Sequence, residues 1–507
     1  MGKKIQRFRN SIVTRQHSSL KSIVFVIFTK FIYRFTGKFR KQEIKKMETE
    51  IPVVDKKINK TTILLIATLA SFLTPFLGTS INIALPTIAN ELAVNAILLG
   101  WISTAFFLTS AMFAVPLGRI ADIYGMKKIF TYGIIILTIA SFLAGISTSA
   151  EFLIITRIIQ GIGSAMIFVT GLAMITSVFP PKERGKAIGI NISAVYIGLV
   201  MGPVLGSFLT QFIGWRSIFY LIVPLGLIVI TLVLWKMKGK EWAECKGEKI
   251  DYWGSFLYML MLGLILIGFS SITTTIGMIM VILGILVLIC FVWLELRIEH
   301  PVLEVRLFFE NRKFALSNLA TLISYMSLFA VGFLMSLYLQ YIKGFAPDIT
   351  GIILVTQTIF MVIMSPIAGR LSDKYDSGKL ASLGMGIITI GLLTFALITE
   401  KTSVYIIILG LAILGMGVGI FSAPNIHSIM GSVERKYFGL ASATVSTMRL
   451  LGQTFGMGLI LVIFAVYIGA VQFNPQNYPA LLTSIQAAFL ISVILSIIAI
   501  FASLARK

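Results

Sequence analysis

Residues 118–128 read Gly-Arg-Ile-Ala-Asp-Ile-Tyr-Gly-Met-Lys-Lys, a short polar stretch between two apolar blocks. A helix that ends here must turn within a few residues before the next helix begins, and Gly118 and Gly125 permit such a turn. Asp122 can cap or neutralise the start of the following helix, while Arg119 adds positive charge. The stretch therefore predicts a tight loop between two helices.

The sequence around this loop consists of apolar blocks of about 20 residues, roughly the length at which a helix crosses ~30 Å of hydrocarbon. Of 507 residues, 57% are hydrophobic and 13% are charged, and the mean hydropathy is +0.94. A soluble core could not bury so much apolar surface. Transmembrane strands would alternate polar and apolar residues, so we expect an all-α polytopic membrane protein.

Fourteen such blocks are predicted as transmembrane helices. They cover residues 61–86, 97–117, 129–147, 151–174, 187–211, 217–236, 252–270, 275–294, 315–341, 351–369, 380–399, 403–426, 439–469 and 483–504. The loop at 118–128 connects the second block to the third.

The net charge of +22 is distributed unevenly among the loops. With the N-terminus inside, seven short segments on the cytoplasmic side hold 22 Lys and Arg, against three residues outside: Arg216, Lys343 and Lys401. The positive-inside rule therefore predicts a multi-pass protein of the cell (plasma) membrane with both termini in the cytoplasm. Charge placed in this way indicates topology, so no nucleic-acid partner is expected.

Residues 1–60 are predicted to form a basic cytoplasmic tail. Residues 1–46 carry 13 basic residues and one acidic residue around the apolar run 23–28, which is too short to span a bilayer. Two interpretations are open. Either this segment lies on an anionic membrane surface, or translation begins at Met47 and the segment is upstream read-through or a disordered tail.

The loop at 118–128 has a second copy. Gly369-Arg370-Leu-Ser-Asp373 follows the tenth block, and a proline precedes each copy by two or three residues, Pro116 and Pro366. The repeat predicts two related six-helix halves around a central binding site. The predicted domains are 61–236 for the N-terminal half, 237–314 for an inserted two-helix hairpin with its flanking loops, and 315–507 for the C-terminal half.

This repeated loop resembles the cytoplasmic signature loop of the major facilitator superfamily. The resemblance implies a major-facilitator-type fold in which both loops act as conformational latches, through charge contacts that stabilise one access state. The residues that it assigns to the latches are Gly118, Arg119, Asp122, Gly125, Lys128, Gly369, Arg370 and Asp373. A purely structural hairpin is the alternative.

The fourth block contains Arg157 near its start. A charge inside a span is costly and normally faces a cavity or a partner. The same Arg and Gln-Gly pattern occurs in the second motif of the superfamily, which implies that Arg157 and Gln160 take part in proton coupling. Alternatively, Arg157 snorkels to the outer interface, where Glu151 can pair with it.

The fifth block carries glycines at helical spacing around a proline, a pattern that predicts close helix packing and a kink. The residues are Gly198, Gly202, Pro203 and Gly206. They also resemble the motif that marks exporters within the superfamily. Residues 79–86, 215–226 and 439–453 are similar to segments of the fourteen-span drug:proton antiporter (multidrug exporter) branch.

The sequence departs from that branch at Gly78, where its members have an aspartate. All 21 acidic residues fall in tails, loops or span edges, so no carboxylate is predicted at mid-membrane. A buried carboxylate is the simplest partner for a dicationic drug or a proton. Neutral amphiphiles, or anions paired with an arginine, are therefore favoured as substrates. A structural role for Arg157 and Arg449 is the alternative.

Polar residues inside the spans are predicted to line the substrate cavity, because lipid-facing amides would be costly. The candidates are Asn82, Gln340, Gln357, Asn425, Arg449 and Gln453. His427 could carry protons near neutral pH or act as a polar residue at the membrane interface.

The sequence as a whole predicts a secondary transporter that exports small amphiphilic compounds or drugs by alternating access, coupled to protons and acting as a monomer in the lipid bilayer. No ATP-binding loop, cofactor, metal site or catalytic cluster is expected, so the chain is not predicted to be an enzyme. Two alternatives are open: uptake or facilitated diffusion of a small polar or anionic solute, and a non-transporting receptor or scaffold.

Overall fold

Polar residues between the apolar blocks end one helix and begin the next in the computed structural model of the chain. The structure describes residues 60–506 except 180, 238–247, 299–300, 373, 434–437, 470 and 472. At 181–182, 184–186, 192, 438–440 and 442 it describes the backbone alone. The predictions for residues 1–59 and for Asp373 lie outside the described residues.

Within the described chain, fourteen helices are long and apolar enough to cross a membrane. They are α1 (Lys60–Glu91), α2 (Ala96–Tyr124), α3 (Met126–Gly145), α4 (Ala150–Val178), α5 (Pro181–Phe212), α6 (Arg216–Lys236), α7 (Tyr252–Ser270), α8 (Thr275–Glu295), α9 (Arg312–Leu337), α10 (Pro347–Ser372), α11 (Ser377–Ala396), α12 (Val404–Met430), α13 (Phe438–Tyr467) and α14 (Tyr478–Leu504). Each helix overlaps one predicted block, and the all-α polytopic fold class is confirmed.

Side chains at the block boundaries cap several of these helices. Asn95, Ser149 and Asp376 accept hydrogen bonds from backbone N–H groups in the first turns of α2, α4 and α11. Between α2 and α3 the chain turns at Gly125, whose φ of 123° is disfavoured for residues with a Cβ. Asp122 lies in the last turn of α2, and Gly125 holds the N-cap position of α3.

The two halves make the same set of helix contacts. In the first half α1 packs on α5, α2 and α3 pack on α4, and α3 packs on α6. In the second half α9 packs on α13, α10 and α11 pack on α12, and α11 packs on α14. The halves meet along two seams, α5 against α10 and α2 against α13. The two seams are equivalent, because α10 and α13 of the second half correspond to α2 and α5 of the first half.

The inserted hairpin, α7 and α8, covers the outside of one seam. α7 packs on both α2 and α13, and the hydroxyl of Tyr258 on α7 donates a hydrogen bond to the carbonyl oxygen of Ala111 on α2 at 3.2 Å. α8 packs mainly on α7. Most of its large apolar side chains are exposed, as expected for a helix that faces lipid.

Candidate functional site

A cavity lies between the two halves and is lined by residues of α1, α2, α4, α5, α9 and α13. Its empty volume is about 650 Å³ when the solvent-open part is included. Most of the lining is aromatic or aliphatic. The aromatic side chains are Phe106, Phe107, Phe168, Tyr196, Tyr325 and Phe329.

Arg449 on α13 brings a positive charge to this cavity. Its guanidinium carbon lies 5.2 Å from the centre of the Tyr325 ring, and Tyr196 lines the same cavity. The Nε atom of Arg449 has no hydrogen-bond partner among the described residues. None of the described residues that line the cavity carries a carboxylate. The cavity is therefore apolar and aromatic with one cationic position.

Gly78 also faces the cavity, and the ring of Phe107 lies close to it. A Cβ atom at Gly78 would lie 2.8 Å from Cζ of Phe107. The Phe107 ring packs edge-to-face against Phe106 and Phe329, with centroid distances of 5.1 and 4.4 Å. Phe107 thus occupies space that an aspartate side chain at position 78 would need.

Arg157 is fully buried beside the cavity and does not snorkel toward Glu151, which is exposed. Its Nε donates to the carbonyl oxygen of Ile102 at 3.0 Å, and a terminal nitrogen donates to Oε1 of Gln160 at 3.0 Å. Gln160 in turn donates to Oγ of Ser141 at 3.1 Å. This network joins α2, α3 and α4.

The same guanidinium lies against the cavity wall. Its carbon is 4.3 Å from the centre of the Phe106 ring, and Phe106 lines the cavity. A change in the position or charge of Arg157 can therefore reach the cavity through one aromatic ring.

The glycines of α5 place this helix directly on α1. A Cβ at Gly206 would come within 2.7 Å of Cβ of Ser80, and one at Gly198 within 2.6 Å of the carbonyl oxygen of Phe72. A Cβ at Gly202 would come closer still to Oγ1 of Thr79. Pro203 follows Gly202 inside α5 and is partly buried. The predicted close packing of the fifth span is found, with α1 as the partner.

The structure separates the six predicted cavity residues into two groups. Arg449 and Gln453 line the cavity, whereas Asn82, Gln340, Gln357 and Asn425 do not.

Two of the four that do not line it lie near the end of the bundle opposite the Gly125 turn, where their polar groups bond to neighbouring helices. Oδ1 of Asn82 accepts a hydrogen bond from Ser103 at 3.0 Å, and Nε2 of Gln340 donates to the carbonyl oxygen of Ile83 at 3.0 Å.

The other two lie within the second half. Nδ2 of Asn425 donates to Oγ1 of Thr321 at 2.7 Å, which joins α12 to α9. Gln357 is partly buried on α10, where its backbone carbonyl packs beside Gly415 of α12. The amide of Asn425 thus satisfies a helix–helix contact instead of facing the cavity.

The latch residues are distributed between two loops. Arg119 forms an ion pair with Glu248, and Lys128 is exposed. Around the second loop, Gly369 is partly buried and Arg370 is exposed.

The structure brings His427 to this second loop, where its Nδ1 lies 3.0 Å from Oγ of Ser372. This pairing was not predicted, because the two residues are 55 positions apart in the sequence.

The aromatic lining of the cavity was also missed. The chain has 37 phenylalanines and 15 tyrosines, and most apolar positions in a membrane protein face lipid or pack between helices. The hydroxyl groups of Tyr196 and Tyr325 were the feature of the sequence that could have indicated this lining, because a hydroxyl in the middle of a span usually has a polar neighbour.

Comparisons with known proteins agree with this architecture. The model of the Major Facilitator Superfamily matches residues 67–276 and 318–507. The chain is 33% identical over 409 residues to the riboflavin transporter RibZ of Clostridioides difficile (strain 630), covering 80% of this chain and 88% of that protein. It is 30% identical over 424 residues to the multidrug resistance protein Stp of Mycobacterium tuberculosis (strain CDC 1551 / Oshkosh), covering 82% and 78%.

Solved structures show the same fold at low identity. A bacterial homologue of the human lysosomal transporter Spinster, in an inward-facing and unoccupied conformation, superposes with a TM-score of 0.62 at 18% identity, covering 88% of this chain and 97% of that one. The nucleoside transporter NupG gives a TM-score of 0.59 at 14% identity, covering 88% and 99%.

Proposed function

Because the chain belongs to the major facilitator superfamily and is a membrane transporter, we propose that it exports small amphiphilic compounds by alternating access. In this proposal the two halves rock around the central cavity, and the loops at Asp122 and Asp373 stabilise the inward-closed state. Transport needs no ATP, and protons are the coupling ion.

The central cavity is the observation that carries this proposal. It lies near the middle of the helix bundle. Phe107 is near the midpoint of α2, and Arg449 lies a little more than one third of the way along α13. Both halves contribute lining residues, so a relative movement of the halves changes the cavity. An aromatic cavity with a few polar groups suits compounds that are partly apolar.

Support for the export direction comes from the close packing of α5 on α1, which uses the glycines of the exporter motif. A relative named as a multidrug resistance protein agrees with it. A second candidate, uptake or facilitated diffusion of a polar or anionic solute, is favoured by the relative named as a riboflavin transporter and by the cationic Arg449.

Proton coupling rests on the family resemblance and on the buried network of Arg157. The proposed location is the cell membrane, with a monomer in the lipid bilayer and both termini in the cytoplasm. The basic loops support this orientation, because positive residues are retained on the cytoplasmic side.

Directional vesicle assays test the proposal. Growth-inhibition screening of expressing cells first supplies a transported dye, and inverted and right-side-out vesicles are then compared. Export predicts saturable, energised accumulation in inverted vesicles. Accumulation in right-side-out vesicles alone would favour uptake, and saturable flux that an imposed pH gradient does not change would reject proton coupling.

A matched pair of variants ties the flux to the cavity. Phe329→Trp enlarges a lining residue and is expected to lower transport at least several-fold. Phe142→Trp enlarges a side chain that is 49% exposed on the outside of the bundle, and we expect no effect.

A further inference from the structure

We infer that Arg449 is an anion subsite, so that the exported compounds carry a negatively charged group on an aromatic body. This inference rests on the proposed export function and names the substrate class of the same cavity. For such compounds it replaces the protons of the proposed function with the membrane potential as the driving force.

The first step concerns charge balance. An arginine inside a transmembrane helix is stable only with a partner, since the loss of water around its charge is costly. The Arg449 guanidinium lies near the Tyr325 ring, and no described residue that lines the cavity carries a carboxylate. The Nε of Arg449 has no hydrogen-bond partner in the described part of the chain. A bound carboxylate, sulfonate or phosphate would supply the missing charge and acceptor oxygens.

The second step concerns the groups around Arg449. Tyr196 and Tyr325 come from opposite halves of the protein, and both line the cavity together with Arg449. Their hydroxyl groups can donate hydrogen bonds to the same anion. The anion would then touch α5, α9 and α13 together, so its binding would respond to the relative position of the halves.

The third step concerns the rest of the ligand. Phe106, Phe107 and Phe329 form a chain of edge-to-face contacts in the cavity wall, and such rings pack well against another aromatic ring. The Phe107 ring also fills the space beside Gly78, where an acidic side chain would attract cations. The cavity therefore selects aromatic anions and disfavours cations.

The fourth step concerns energy. A cell interior is electrically negative, so an anion moves outward down the electrical gradient. A potential of 100 mV favours a monoanion outside by about 50-fold at equilibrium. An exporter of anions can thus work without a mid-membrane carboxylate that binds protons, and no such carboxylate lines this cavity among the described residues.

Three matched probes test this inference with the full-length chain in liposomes: 2-naphthalenesulfonate, 2-naphthalenesulfonamide and 2-naphthyltrimethylammonium. They share a ring system and differ in charge. With equal pH on both sides, potassium gradients and valinomycin set the potential. We expect saturable sulfonate flux and an equilibrium ratio that changes about 50-fold per 100 mV, whereas the sulfonamide ratio stays near one.

Variants assign the effect to Arg449. Arg449→Gln is expected to lower the ratio of sulfonate to sulfonamide transport at least ~10-fold, and Arg449→Lys to give an intermediate ratio, because it keeps the charge without the planar fork. Arg297→Gln is the control: Arg297 is exposed outside the cavity and stacks on Trp293, so the ratio should not change.

The outcomes separate the inference from the proposed function. Saturable flux of the ammonium or sulfonamide probe without sulfonate flux would overturn the anion subsite and leave transport standing. An unchanged ratio in Arg449→Gln would overturn the role of Arg449. Sulfonate flux that follows a pH gradient and ignores the potential would overturn the driving force. If no probe is transported and the sulfonate does not raise the melting temperature of the protein, the anion subsite is overturned. The dye assay then still tests export.

Discussion

The guanidinium of Arg119, near the end of α2, forms an ion pair with the carboxylate of Glu248. Glu248 lies three residues before Asp251, the N-cap residue of α7. The side chains are 16% and 30% exposed. The first latch loop is therefore bonded to the segment that leads into the inserted hairpin. A movement of this loop during transport would have to break the pair or carry the hairpin with it.

Glu248→Gln removes the charge of this pair. Since partly exposed ion pairs contribute up to about 1 kcal/mol, we expect the transport rate to change by at most ~5-fold, with normal membrane insertion. Initial rates of dye uptake into vesicles measure the effect. Glu183→Gln, which breaks an exposed pair with Lys60 at 3.4 Å, serves as the control. If Glu248→Gln, Glu183→Gln and the wild type transport at equal rates, the contact between Arg119 and Glu248 plays no part in the transport cycle.

Asp122→Asn tests the latch itself. The substitution keeps the size of the side chain and removes its charge, so the inward-closed state should lose stabilisation and transport should fall at least ~10-fold. Protein in the membrane is measured by immunoblot, and flux by vesicle uptake. Glu151→Gln changes an exposed carboxylate at the start of α4 and should behave as wild type. Wild-type kinetics in Asp122→Asn would contradict the latch.

Arg157→Lys tests the buried network on α4. Lysine cannot bond to Ile102 and Gln160 in the planar geometry of arginine, so loss of roughly 1–3 kcal/mol of stability is expected. Melting temperature in detergent and flux with and without a pH gradient are measured together. A lower melting temperature with an unchanged response to the gradient indicates a structural role. Loss of the response at an unchanged melting temperature indicates proton coupling.

Gly206→Ala tests the contact between α5 and α1. The new methyl group would meet Cβ of Ser80 at 2.7 Å and backbone atoms of the same residue at 2.9 and 3.1 Å, so the helices must separate. We expect a lower melting temperature and a lower transport rate. Gly189→Ala on the same helix meets nothing within 4 Å and should be neutral or slightly stabilising. Equal melting temperatures in the two variants would contradict the tight packing.

Gly78→Asp tests how Phe107 controls charge selection. The single variant is expected to be destabilised, because its Cβ would lie 2.8 Å from the Phe107 ring. Gly78→Asp combined with Phe107→Ala gives the carboxylate room and should raise transport of 2-naphthyltrimethylammonium relative to the sulfonate. Phe107→Ala alone is the control. If Phe107→Ala and the double variant have the same ratio of ammonium to sulfonate transport, a carboxylate at position 78 does not determine charge selectivity.

Several functional residues were predicted from local sequence. The glycines of α5 and the turn at Gly125 followed from backbone sterics, which depend on the residue itself. Arg449 and Gln453 were predicted in the cavity together with Asn82 and Asn425, although only the first two line it. An amide inside a span needs a polar partner, but its sequence does not show whether that partner is a ligand or another helix.

The sequence by itself determined the number and order of the helices, because each apolar block is long enough to cross a bilayer. Several helices extend beyond the blocks, as α2 (Ala96–Tyr124) extends beyond 97–117. The repeated loop and its glycines also identified the family. Only the tertiary structure decided that Arg449 faces the cavity, that Phe107 covers Gly78 and that Arg119 contacts Glu248. The rotation of each helix and its neighbours is set by the packing of side chains far apart in sequence, and hydropathy, which is nearly uniform around a membrane helix, carries little information about it.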